Sequence, residues 1–278
     1  MSEEQLIAEA ILQLKQESNV IKDYIFPIAM ALFSSLIGAI VGYKVYLRQE
    51  KLGIEKEKLN IINKWILLSN EVQQDLLAIK QNYIKGVNKD PYKRIFNIPT
   101  ILLNKKNYNL EYQELAFIEN VSPSKFSHIP YLRTIFENYI NLVSIWAKRN
   151  ELNDEVKAQI INKIPQNLTY FDVSRELIDK SVDQSKFAAL IDLTEIVIRY
   201  TDDLIIELES LNNELPLISK KAVDMKCLKN FGSILNYGRS TSIELLSECP
   251  LPDFKKLSTI LGRSEEELMA RYNPLFKK

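Results

Sequence analysis

The sequence is short of glycine, histidine and cysteine, and it carries no net charge. Seven glycines in 278 residues leave little room for phosphate-cradling loops or for the tight turns of a hairpin-rich β-protein. Gly38, Gly42, Gly53, Gly86, Gly232, Gly238 and Gly262 complete neither G-x-x-x-x-G-K-[ST] nor G-x-G-x-x-G. A single histidine, His128, excludes a multi-histidine metal centre within one chain. It lies between Pro123 and Pro130 with no metal-spaced partner, which points to a capping or turn role. Cys227 and Cys249 are 22 residues apart without a CxxC and read as small buried hydrophobes. No cofactor and no metal are expected. With 36 basic and 36 acidic residues, nothing in the overall charge favours nucleic acid or an acidic partner.

What is present is an uncharged run of twenty residues from Tyr24 to Tyr43. At ~1.5 Å per residue it matches the ~30 Å hydrocarbon core of a bilayer. Asp23 and Lys44 bound it, and Tyr24, Tyr43 and Tyr46 fall where an aromatic belt lies. Pro27 sits in the first turn, where its missing N–H costs little. A buried core helix is rarely uncharged for so long. A cleaved signal peptide requires a basic leader, whereas residues 1–23 set Lys15 and Lys22 against Glu3, Glu4, Glu9, Glu17 and Asp23. The run therefore reads as an uncleaved transmembrane anchor.

Two basic residues precede the span. Lys44, Arg48, Lys51, Lys56, Lys58 and Lys64 follow it, so the positive-inside rule puts the N-terminus outside and the rest in the cytoplasm. Within the span Ser34, Gly38 and Gly42 recur every four residues, the small-xxx-small spacing that lets two helices approach closely in lipid. Before it, Leu6, Ile7, Ala10, Ile11 and Leu14 share one helical face, behind a Ser2–Gln5 capping-box spacing. The segment is either a short amphipathic helix on the outer surface or a modest extension of the span, and its acidic balance, which argues against strong binding to anionic lipid, favours the extension.

Beyond the span the periodicity stays helical. Val45, Leu52, Leu59 and Ile66 are seven apart, with Ile62, Leu76 and Tyr83 near the same face. They form either a coiled-coil seam or the inner face of a helix packed on its own domain. Asp90-Pro91 and Pro99 break the pattern. A short helix is expected over Asn107–Glu119, and further helices on the apolar face that starts at Leu132 and runs through Trp146 toward Arg149, from Asn153-Asp154-Glu155 onward to a stop at Pro165, and around Val223, Cys227, Phe231 and Leu235. The most regular stripe is Leu190, Thr194, Val197, Thr201, Leu204, Leu208 and Leu211, with Ile191, Ile198 and Ile205 beside it, ending at Pro216. It is too broad for a two-stranded coil and suits a bundle core. No sustained alternation predicts strands.

Three charged features stand out. Lys80, Lys85, Lys89, Lys93, Arg94, Lys105 and Lys106, opposed only by Asp90, form a basic segment read as a solvated or internally paired surface. Asp202, Asp203 and Glu207 lie opposite the apolar stripe and read as a solvated acidic face. The C-terminal residues 254–272 outline two short helices about Gly262, with a Ser264–Glu267 capping box. Glu265, Glu266 and Glu267 would repel DNA from a recognition helix, so the unit reads as an αα-corner.

The expectation is an all-α chain, a single N-terminal transmembrane helix followed by a cytoplasmic helical bundle. Its parts are an extracytoplasmic segment (1–23), an anchor helix (24–47), a long juxtamembrane helix (48–86) and a cytoplasmic helical domain (87–278). The expected role is a non-enzymatic interaction or signalling protein of the inner (plasma) membrane, an envelope sensor or defence-type effector. Its partners would be the lipid bilayer, other proteins and a second copy joined through the transmembrane helix. A membrane-tethered helical enzyme, a nuclease or lipid hydrolase whose site assembles only in the fold, is the alternative. A nucleic-acid module comes third, and nucleic acid is not an expected partner. No functional role is assigned to His128 or to the acidic cluster.

Overall fold

A computed structural model of the chain describes residues 2–17, 21–103, 108–163, 178, 180–236 and 243–276. All regular structure among them is helical. The chain divides into two compact units, Met1–Glu57 and Lys58–Lys278.

The first unit contains α1 (Glu3–Glu17), a π-helical turn (Ile21–Ile25) and the first half of α2 (Phe26–Gln81). Ser2 opens α1, its backbone N–H donating to Gln5 Oε1 at 3.3 Å. The uncharged run begins in the π-helical turn and continues along α2, and this continuous helix is long and apolar enough to cross a membrane. Its side chains, including Phe26, Ile28, Leu32, Phe33, Leu36 and Ile40, are exposed. That is the reverse of a soluble core helix, whose apolar face is covered by protein.

In the second unit, the later part of α2 packs with α4 (Ile129–Ile161) and α5 (Gln184–Ala222). The residues of 48–86 from Lys58 onward therefore belong to this unit. Leu59, Ile62, Ile66, Leu76 and Tyr83 are buried, so these heptad positions are filled by the chain's own bundle. Trp65 meets Phe136 edge-on at 5.3 Å between ring centroids, Tyr83 stacks obliquely on Trp146 at 5.6 Å, and Trp146 Nε1 donates to Thr201 Oγ1 at 3.0 Å. The broad stripe on α5 is buried as its width implied.

A smaller core joins α3 (Pro91–Asn97) and the start of α5 to two C-terminal helices, α7 (Phe254–Leu261) and α8 (Glu265–Arg271). A one-turn helix, α6 (Ile243–Leu246), precedes them. Asp90 caps α3 by accepting from Tyr92 N, Asp253 caps α7, and Ser264 accepts from Glu267 N at 3.2 Å to start α8. Gly262, with φ +63°, supplies the left-handed residue between α7 and α8.

Several boundaries differ from the sequence reading. Asn153-Asp154-Glu155 lies inside α4, because Asn153 Nδ2 donates to Thr100 Oγ1 at 3.0 Å and Asp154 Oδ1 accepts from the same hydroxyl at 2.6 Å. These polar groups hold a distant loop and cap nothing. Pro216 lies inside α5, where it forfeits one i→i−4 bond while Leu215 and Ile218 stay buried in the core. The helix expected around Val223–Leu235 is a run of turns followed by chain without regular structure. Asn63 pins that chain, donating to Ser233 O and accepting from Leu235 N. Over 107–119 the described structure is a 3-10 helix, Tyr112–Ile118. Pro165 lies outside the described residues.

Candidate functional site

Asp192, Glu195, Arg199, Asp202, Asp203 and Glu207 recur at three- and four-residue spacing along α5, opposite its apolar stripe. The sequence reading placed Asp202, Asp203 and Glu207 in solvent. They are buried, because the C-terminal segment 243–276 lies over that face. Both faces of α5 are therefore covered, one by apolar and one by ionic contacts.

The ionic face has two layers. In the inner layer Lys80 Nζ sits 2.6 Å from Asp202 Oδ1, with each side chain only 1% exposed. The same ammonium donates to Ser247 O at 2.5 Å, and Asp202 Oδ2 accepts from Cys249 N at 2.6 Å. Arg94 Nη1 donates to Glu195 Oε2 at 2.5 Å, its Nε to Asn88 O, and its Nη2 to Pro250 O. Each cation thus joins a helix carboxylate to a carbonyl of the C-terminal segment, the pairing a buried charge needs. Glu195 Oε1 has no hydrogen-bond partner among the described residues. Burial pushes the Glu195 carboxyl up to about 7 against the pull of Arg94, and pushes the Cys249 thiol up to about 12.

The outer layer surrounds a cleft of about 330 Å³ lined by Lys125, Arg199, Asp203, Glu207, Glu248 and Phe276, among others. Arg199 Nη1 pairs with Glu248 at 2.8 Å and its Nε lies 4.0 Å from Asp203. Asp203 Oδ2 accepts from Leu275 N at 2.9 Å, yet burial still raises its carboxyl to about 6. Lys125 Nζ lies 2.7 Å from Glu207 and about 5 Å from the ring centres of Phe126 and Tyr131. Tyr131 OH donates to Glu207 Oε1 at 2.8 Å. Three carboxylates face two cations here, so the cleft favours a polar ligand of positive character over an anion. Ser210, also on its wall, spends its hydroxyl on Ile206 O.

The other residues singled out in the sequence are dispersed. Lys80 and Arg94 are core groups and drop out of the basic surface. Lys85, Lys89 and Lys93 are exposed, and Lys105 and Lys106 lie outside the described residues. His128 is the N-cap residue of α4, but its side chain makes no cap bond. Its Nδ1 lies 3.1 Å from Glu119 Oε1, while Glu119 Oε2 accepts from Ile129 N at 2.8 Å and does the capping. Cys249 is buried as read, whereas Cys227 is half-exposed with its Sγ 3.3 Å from Asp224 Oδ2. Ser34, Gly38 and Gly42 are exposed on α2, and a methyl group at either glycine would meet no atom of the described residues within 4 Å. Glu195, Arg199 and Glu248 were missed, although the i, i+3, i+4 order of the charges on α5 was there to be read. Among the described residues no three His, Cys, Asp or Glu side chains are placed to hold a metal ion. Comparison of the chain with protein-family models, with curated proteins and with solved structures finds no match.

Proposed function

We propose that the protein is a single-pass anchor with its N-terminus outside, holding a helical interaction or signalling domain at the cytoplasmic face of the plasma membrane. The observation that carries this reading is the exposure of the whole apolar run on α2, while the second unit has a complete core of its own. Twenty uncharged residues left in water would be untenable, and a bilayer covers them at the right thickness. The excess of Lys and Arg after the span gives the orientation. Tethering then raises the effective concentration of the domain for membrane-bound partners. The open row Ser34, Gly38, Gly42 fits a second copy of the same helix.

The test is fractionation of the full chain with a topology probe. Under this reading the protein stays with membranes after alkaline carbonate washing, and deletion of residues 21–47 releases it. A membrane-impermeant maleimide reaches Cys227 only after the plasma membrane is permeabilised. Carbonate release of the intact chain, or labelling of Cys227 in intact cells, would refute the proposal.

A second reading, a membrane-tethered hydrolase or nuclease, is favoured by the convergence of Asp203, Glu207 and Glu248 with Lys125 and Arg199 on one cleft. It requires that the purified full chain turn over lipid or nucleic acid. It also requires that Asp203→Asn and Glu207→Gln abolish turnover without lowering the unfolding midpoint.

A further inference from the structure

The N-terminal helix α1 presents an apolar face that none of the described residues covers. Leu6, Ile7 and Ile11 are 53%, 60% and 58% exposed. At 100° per residue, Leu6, Ile7, Ala10 and Ile11 fall within an arc of about 140°. Gln5 and Glu9 lie on the opposite side together with Ala8 and Leu12, while Glu3, in the first turn, falls within the apolar arc.

Chain length restricts where this face can go. Residues 18–20 separate α1 from the helical turn that begins at Ile21. Four steps from Glu17 to Ile21 reach at most about 14 Å. The last turn of α1 therefore stays within headgroup distance of the apolar run, while the helix itself is about 22 Å long. Projecting straight into water would leave all four apolar positions hydrated. Lying along the surface removes them from water and keeps the carboxylates of Glu4 and Glu9 in contact with it.

We infer that α1 lies flat on the outer face of the bilayer, with Leu6, Ile7, Ala10 and Ile11 in the headgroup–acyl boundary and Glu9 facing water. This rests on the anchor reading above. The charges on α1, Glu3, Glu4, Glu9 and Glu17 against Lys15, suit zwitterionic headgroups and repel anionic ones. The surface it takes is thus neutral phospholipid.

The experiment reads depth with nitroxide labels on the full chain in a Cys227→Ser background, reconstituted into phosphatidylcholine vesicles. Cys249 is buried and stays unlabelled. Labels are placed at Ile7→Cys, Ile11→Cys, Glu9→Cys and, within the span, Ile37→Cys. Power saturation compares collisions with oxygen, which concentrates in lipid, and with a water-soluble nickel chelate. The expected result is oxygen preference at 7, 11 and 37 and chelate preference at 9. Chelate preference at 7, 9 and 11 with oxygen preference at 37 overturns the placement of α1 and leaves the anchor standing. Shielding of 7 and 11 from both reagents, with spin–spin broadening, means that two α1 helices pair, which also overturns it. Chelate preference at 37 removes the anchor reading, and this inference with it.

Discussion

Lys80 on α2 and Asp202 on α5 form an ion pair at 2.6 Å with neither side chain more than 1% exposed. The pair is not left to itself. Ser247 O accepts from the ammonium, and the amide of Cys249 donates to the carboxylate, so the C-terminal segment completes both coordination shells. Removing one member strands the other in a low dielectric. Lys80→Met should therefore lower stability by about 3–5 kcal/mol, and Lys80→Met with Asp202→Leu by distinctly less. Urea unfolding followed by the fluorescence of the buried Trp65 and Trp146 measures both. A loss in the double variant equal to the sum of the losses in Lys80→Met and Asp202→Leu alone would show that the charges are not coupled.

The buried carboxyls predict a pH dependence of definite sign. Glu195 is raised from 4.5 to about 7 and Asp203 from 3.8 to about 6. Across that window the folded state holds more protons than the unfolded one, so stability falls as pH rises from about 4 towards 7. Carboxyls lowered by partners, such as Asp90 and Glu119, act with opposite sign, but only below their ordinary range. The unfolding midpoint should thus decline between pH 5 and 7.5, and Glu195→Gln should flatten the slope. A slope unchanged in the variant assigns the titration elsewhere.

Gly262 isolates a backbone effect. Its φ of +63° is the left-handed region, and a Cβ there would meet nothing within 4 Å. Gly262→Ala should cost about 1–2 kcal/mol from conformation alone, and Gly262→Asn less. If alanine is neutral, the turn between α7 and α8 has relaxed into another geometry.

The two thiols should differ in reactivity. Cys249 is buried and its pKa is pushed up to about 12, whereas Cys227 is half-exposed. In detergent at pH 8 a maleimide should label one equivalent rapidly, lost in Cys227→Ser, and the second only after denaturation. Rapid labelling of both would mean that the segment over Asp202 opens readily.

For the transmembrane helix, Gly38→Leu with Gly42→Leu should abolish cross-linking of two copies in detergent or vesicles if the small-residue row is the contact. Unchanged cross-linking places any self-association on another surface.

What could be read from the sequence was what depends on near neighbours. The apolar run, the stripe Leu190–Leu211 and the Ser264–Glu267 box each declare themselves within a few turns of chain. What was misread depended on distant partners. Lys80 and Arg94 look like surface charges until Asp202 and Glu195 arrive from far along the chain. Asn153 and Asp154 look like a helix start until Thr100 takes their side chains. The cleft combines Lys125, five helical residues of α5, Glu248 and Phe276, a grouping no local window contains.

That long reach has a consequence for synthesis. Lys80 waits for Ser247, 167 residues later, and at about 5–20 residues per second that is roughly 10–30 s of translation. Through that interval the emerging chain holds an ammonium and a guanidinium whose final partners have not yet been translated. A product that stops short of residue 247 is thus a chain with charges it cannot bury, a natural substrate for the proteases that clear unfinished proteins.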